Sequence, residues 1–210
     1  MAQLSHYKEK NMDDLNQQIE NCIAQRDYAK AAAIAESVLE QMPVTAFHKI
    51  IGRDLLHLTE EVANYLTHFF GQAQKNIDVR AMYFEMNGFS INPDMWFFGS
   101  FALSFCGNPD DPDDTDWLAD YEYMLPDTVF QITGYEDLQE ACAYDLNNKG
   151  YEDKIQRKAK FAFEPIVTVR FIELLAHAVQ WAKDNNFPWK DVPVFGTTHG
   201  DTLLYRSPAS

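Results

Sequence analysis

A chain of 210 residues, 46% hydrophobic and 14% aromatic, holds enough apolar material for a real core in one globular unit. Its 32 Asp and Glu against 17 Lys and Arg leave a net charge of −15, which argues against a nucleic-acid binder held by phosphate contacts and against an anionic membrane surface. No apolar run reaches the ~20 residues of a bilayer span and no apolar leader follows Met1. Three widely spaced cysteines (Cys22, Cys106, Cys142), with no CxxC among them, predict reduced thiols in a cytoplasmic protein without a zinc site.

The first third reads as helix. Leu15, Ile19, Cys22 and Ile23 recur at helical spacing, and Asp13 and Asp14 suit a helix N-terminus. A break at Arg26-Asp27 leads into an Ala- and Glu-rich stretch, Tyr28 to Gln41, which Pro43 ends. The spacing Asp27-Tyr28-x-x-Ala31 before Pro43 echoes half of a tetratricopeptide unit, but no second copy follows at ~34 residues, so a plain helical hairpin is expected. Thr45 suits the N-cap of a third helix whose stripe runs Phe47, Ile51, Leu55, Leu58, Val62, Tyr65, Leu66 and Phe69.

The middle third changes period. Met82, Phe84 and Met86 share one face of a strand that Asn87-Gly88 closes. From Met95 to Cys106 the chain alternates, with Met95, Phe97, Phe101, Leu103 and Phe105 on one side and Phe98, Ser100, Ala102 and Ser104 on the other. Trp117, Ala119, Tyr121, Tyr123 and Leu125 alternate against Asp120 and Glu122, and Phe130 to Thr133 adds a short piece. An antiparallel meander with one buried face follows.

Helix returns from Glu136 to Asn148, with Gly150 placed to end it. A basic stretch, Tyr151 to Phe163, then meets Pro165, which either kinks the chain or opens a helix reaching Lys183. Val192 to Phe195 and Thr202 to Tyr205 suggest a terminal hairpin. The expected fold is α+β: an N-terminal helical hairpin plus a third helix (1–76) packed on a core of residues 77–210. That core has a central antiparallel sheet, C-terminal helices on one sheet face and the short hairpin.

Charge is distributed unevenly. Between Arg80 and Lys149 lie 68 residues without a Lys or Arg, carrying 14 acids. The loop Asn108 to Asp116 concentrates them. Asp111, Asp113, Thr115 and Glu122 fall in a partial calcium-loop register, but Asp116 stands where the turn needs glycine and Pro112 is awkward, so no metal is expected. His57, Glu61, Asn64 and His68 share a helical stripe, Glu173 and His177 sit one turn apart, and His199 and Asp201 share a tail loop; none has a recognised ligand spacing. Ser100 and Ser104 lie inside a strand, without the turn a nucleophile elbow requires, and the glycines are scattered. No catalytic residue and no cofactor is expected.

Tyr83 to Met86, the aromatic run Trp96-Phe97-Phe98 and the acidic loop leading into Asp116 to Glu122 resemble small cytoplasmic immunity proteins of bacterial polymorphic and contact-dependent toxin systems. The resemblance covers about a fifth of the chain. It implies a non-enzymatic inhibitor of a toxin domain. Charge points the same way: a toxin that holds phosphates needs a basic cleft, and clustered carboxylates with rigid aromatics plug such a cleft. The expected partner-binding residues are Asp110, Asp111, Asp113, Asp114, Asp116, Trp117, Asp120 and Glu122. The competing expectations are a scaffold or adaptor for another partner, and a metal-dependent hydrolase using the Asp-rich loop.

Overall fold

The computed structural model describes residues 15–88, 92–93, 95–107, 114–126, 128–200 and 204–208. The fold is α+β, and the described residues form five α-helices and a mixed six-stranded sheet. Residues 15–24 form α1, and its Leu15, Ile19, Cys22 and Ile23 are buried as the periodicity requires. The reversal into α2 (Tyr28–Glu40) is a Schellman turn: the Arg26 N–H donates to the Ile23 carbonyl and the Asp27 N–H to that of Cys22, both at 2.9 Å. Asp27 then caps α2 through the Lys30 N–H at 3.2 Å.

The third helix does not start at Thr45. Two 3-10 turns, Ala46–Ile50 and Leu56–Leu58, precede α3 (Thr59–Ala73). Gly52, at φ +73°, breaks the run, and the Asp54 carboxylate accepts the Leu56 N–H at 2.9 Å to restart it. The apolar stripe survives the break because Phe47, Ile50, Leu55, Leu58, Val62 and Leu66 all reach the same core.

Strand β1 (Ala81–Met86) pairs antiparallel with β2 (Phe97–Leu103), as the alternation predicts. The stretch from Trp117 to Leu125 is not a full strand. Residues Asp116–Ala119 coil into a 3-10 turn, and only β3 (Tyr123–Met124) reaches β2. Six residues further on, β4 (Phe130–Gln131) pairs antiparallel with the start of β2, so two short strands share its outer edge.

Helix α4 (Glu136–Asn147) ends as expected, but Lys149 takes the left-handed conformation at φ +55°. Gly150 is needed for another reason: a Cβ there would collide with the Asp145 carboxylate. Helix α5 (Lys154–Asp184) runs unbroken through Pro165. Its middle, from Ile166 to Leu175, is buried all round except at Arg170, because the sheet lies on one side and α2 on the other. The small faces of Ala31, Ala32 and Ala35 let α2 come close.

The C-terminal piece corrects the purely antiparallel expectation. Strand β5 (Val194–Thr198) pairs with β1 in parallel and with β6 (Tyr205–Arg206) antiparallel, giving the order β3-β2-β1-β5-β6. A parallel neighbour demands a long crossover, and the chain from β2 through α5 supplies it. The inner face of the sheet (Met82, Phe84, Met86, Phe98, Ala102, Val194) joins residues of α1, α2, α3 and α5 in one apolar cluster. Among the described residues the α-helices cover that face only. The opposite face is not bare, as the expectation of a single buried face had it, because Ala81, Tyr83, Leu103, Leu118 and Phe195 form a second, smaller buried cluster there.

Candidate functional site

Period-two geometry sends the alternate residues of the three central strands to the opposite, outer face. Register then fixes two rows across it. Phe101, Tyr83 and Phe195 stand side by side, and Gly99, Glu85 and Thr197 form the next row. The Tyr83 and Phe101 rings stack with centroids 5.6 Å apart. Gly99 leaves room for this row, since a Cβ there would come within 3.1 Å of the Phe101 ring.

The turn Asp116–Ala119 lies over part of this surface. Trp117 meets Phe195 edge to face at 5.2 Å and Phe105 at 5.6 Å, while Leu118 is buried beneath it. The indole N–H donates to the Asp114 carbonyl at 3.0 Å, and the Asp114 carboxylate accepts the Asp116 N–H at 3.0 Å. Gly107, at φ +61°, clears space for the indole ring. Tyr121, 43% exposed, lies 4.5 Å from the Phe101 ring and extends the aromatic surface outward.

Carboxylates ring this surface. Asp114, Asp116, Asp120 and Glu122 are all exposed, and among the described residues none of them is in an ion pair. Glu122 has a structural task as well. It accepts the Ser104 N–H at 2.6 Å, and hydrogen bonding to Ser104 holds its carboxyl below the ordinary carboxylate value. The twelfth position of the partial calcium register is therefore already engaged. Asp110, Asp111 and Asp113 lie outside the described residues. Among the described residues no group of three His, Cys, Asp or Glu is placed to hold a metal ion.

A groove of ≈ 700 Å³ opens between the turn and the sheet, with Tyr83, Glu85 and Thr197 on its floor and Thr115, Asp116 and Leu204 along its walls. Glu85 is the anchored charge there. It accepts the Tyr83 hydroxyl at 2.7 Å and lies 2.5 Å from His199 Nδ1. Burial, reinforced by the Glu85 carboxylate, pushes the Tyr83 phenol far above its ordinary value, so it stays a neutral donor. Sequence reasoning placed His199 beside Asp201 and named Tyr83 and Glu85 only as part of the strand Tyr83 to Met86, not as site residues. Their alternation within β1 was the available signal; the partner His199 arrives through the parallel β5, 114 residues away in sequence from Glu85.

The other expected aromatics divide. Tyr123 packs toward the inner core against Phe69, with rings 6.1 Å apart, so it is not part of the outer surface. His57 faces Gly134, where a Cβ would come within 2.8 Å of its ring, and serves packing there. Cys142 is buried, which pushes its thiol up to about 12 and leaves it unreactive. Among the described residues no helix is long and apolar enough to cross a membrane.

No protein-family model matches the chain, and neither a curated protein nor a solved structure does.

Proposed function

We propose that this chain is a non-enzymatic immunity-type protein that acts in the cytoplasm, binding and neutralising a toxin domain through its outer sheet face. One observation carries the reading: the partly buried Phe101 and Trp117 and the exposed Tyr121, on the sheet face away from the α-helices, are accompanied by four exposed carboxylates that, among the described residues, are in no ion pair. Unpaired like charges lower stability by mutual repulsion, and a basic partner turns that repulsion into attraction. Rigid aromatics supply buried area at small entropy cost, which suits the centre of an interface. Glu85, held by Tyr83 and His199 at the groove floor, is a fixed acceptor for a guanidinium or ammonium of the partner.

Co-expression with a candidate basic toxin domain tests the reading. The wild type is expected to protect the cell, and the variant Asp114→Lys/Asp116→Lys/Asp120→Lys to lose protection while keeping its fold. Equal protection by both removes the acidic face from the mechanism. Protection by neither overturns the reading for that toxin.

A further inference from the structure

Basic residues are gathered as unevenly as the acidic ones. Lys149, Lys154, Arg157, Lys158 and Lys160 fall within twelve residues at the corner between α4 and α5, against Glu152, which pairs with Lys149, and Asp153, which caps α5. Lys154, Arg157, Lys158 and Phe161 follow i, i+3, i+4, i+7 spacing and are exposed along one face of α5. The 3-10 turn Gly150–Glu152 joins the two helices at this corner and packs against both. The corner also exposes large apolar side chains: Tyr144 71%, Phe161 58% and Ile155 46%. Of these, Phe161 continues the exposed Lys154–Lys158 face of α5.

We propose that this basic corner docks on the outer acidic face of a second copy of the chain. The two surfaces are complementary in sign, and each presents exposed aromatics to the other. Among the described residues Lys154, Arg157 and Lys158 are in no ion pair, as Asp114, Asp116 and Asp120 are not. The net charge of −15 opposes association at long range, but it is screened beyond about 8 Å at physiological ionic strength, whereas contacting charges sit within half that distance. Because the surfaces differ, the contact is heterologous and head-to-tail, closing into a ring or extending as a chain. The inference shares with the proposed function only the claim that the acidic face docks a basic surface, and a toxin domain would compete with the second copy for it.

Sedimentation velocity on the full chain at physiological ionic strength tests it without any toxin. The wild type is expected to sediment faster as its concentration rises. Lys154→Glu/Arg157→Glu/Lys158→Glu and Asp114→Lys/Asp116→Lys/Asp120→Lys, each with an unchanged circular-dichroism spectrum, are each expected to associate at least ~10-fold more weakly. Mixed in equal amounts they should associate again, since one retains the acidic face and the other the basic corner. Both keep a net negative charge, so bulk attraction does not explain such a rescue. A wild type that stays monomeric throughout overturns the inference, as does a mixture no heavier than its parts. Either failure leaves protection against the toxin to be judged by its own experiment.

Discussion

Arg26 sits at φ +61° in the Schellman turn that closes α1, a position where glycine is usual. A Cβ in the left-handed region costs roughly 1–2 kcal/mol, while glycine loses about 0.5–1 kcal/mol through the freedom of the unfolded chain. Arg26→Gly is therefore expected to raise stability by about 0.5–1 kcal/mol, read as a higher urea midpoint. A lower midpoint would mean that the arginine side chain contributes more than its backbone strain costs. Acid sensitivity also belongs at this scale. Burial works to raise the Asp137 carboxyl, but Arg53 at 2.9 Å and Lys49 at 3.6 Å overcome it and hold it below the ordinary value. Hydrogen bonding from the Gly134 N–H lowers Glu136 likewise. Carboxyls depressed in the folded state contribute stability that is present above their unfolded pKa near ~4 and lost as pH falls through the folded value. Urea midpoints are expected to drop below about pH 4, and Asp137→Asn to flatten that drop. At neutral pH the same variant should lose less than ~1 kcal/mol, because the carboxylate is 40% exposed and partly screened.

At the scale of elements, α5 organises the fold by lying between α2 and the sheet. Its contact with β5 depends on Gly196, whose missing side chain admits the Leu175 methyl group. Gly196→Val should lower stability by about 1–3 kcal/mol through overpacking, measurable as a fall in the urea midpoint; a neutral result would show that Leu175 swings aside at little cost. Between α5 and α2, Arg170 bonds Glu36 and Glu173, each at 2.9 Å, in a nearly buried cluster. Glycine at 196 also explains an error of sequence reading. Taken as the start of a loop, it is instead the middle residue of β5, and its lack of a side chain serves helix approach. Strong periodicity made β1, β2, α2, α4 and the later part of α5 legible, because an apolar stripe states its own period. The parallel pairing of β1 with β5 was not legible, since strand neighbours separated by a crossover leave no local mark. The Trp117 turn was hidden for a related reason: its alternating pattern fits a strand, and only the indole's seat on Phe195 shows why it coils.

For the whole molecule, the decisive asymmetry is one of faces. Helices cover the inner side of the sheet, while the outer side keeps its aromatics and carries Glu85, Asp114, Asp116, Asp120 and Glu122 of the acidic middle third. The acidic loop was legible as charge alone. That its described part lies over the outer sheet face, beside the Glu85 groove, needed the strand register. Long-range attraction raises encounter rates and is screened over about 8 Å at physiological ionic strength, whereas dissociation depends on packing at the interface. The most direct test of the acidic face is therefore stopped-flow kinetics with a toxin domain that passes the co-expression test, at low and at high salt. The association rate constant is expected to fall steeply with salt while the dissociation rate constant changes little. Asp114→Lys/Asp116→Lys/Asp120→Lys should slow association by roughly 10-fold or more at low salt. An association rate indifferent to both salt and charge reversal would contradict the account.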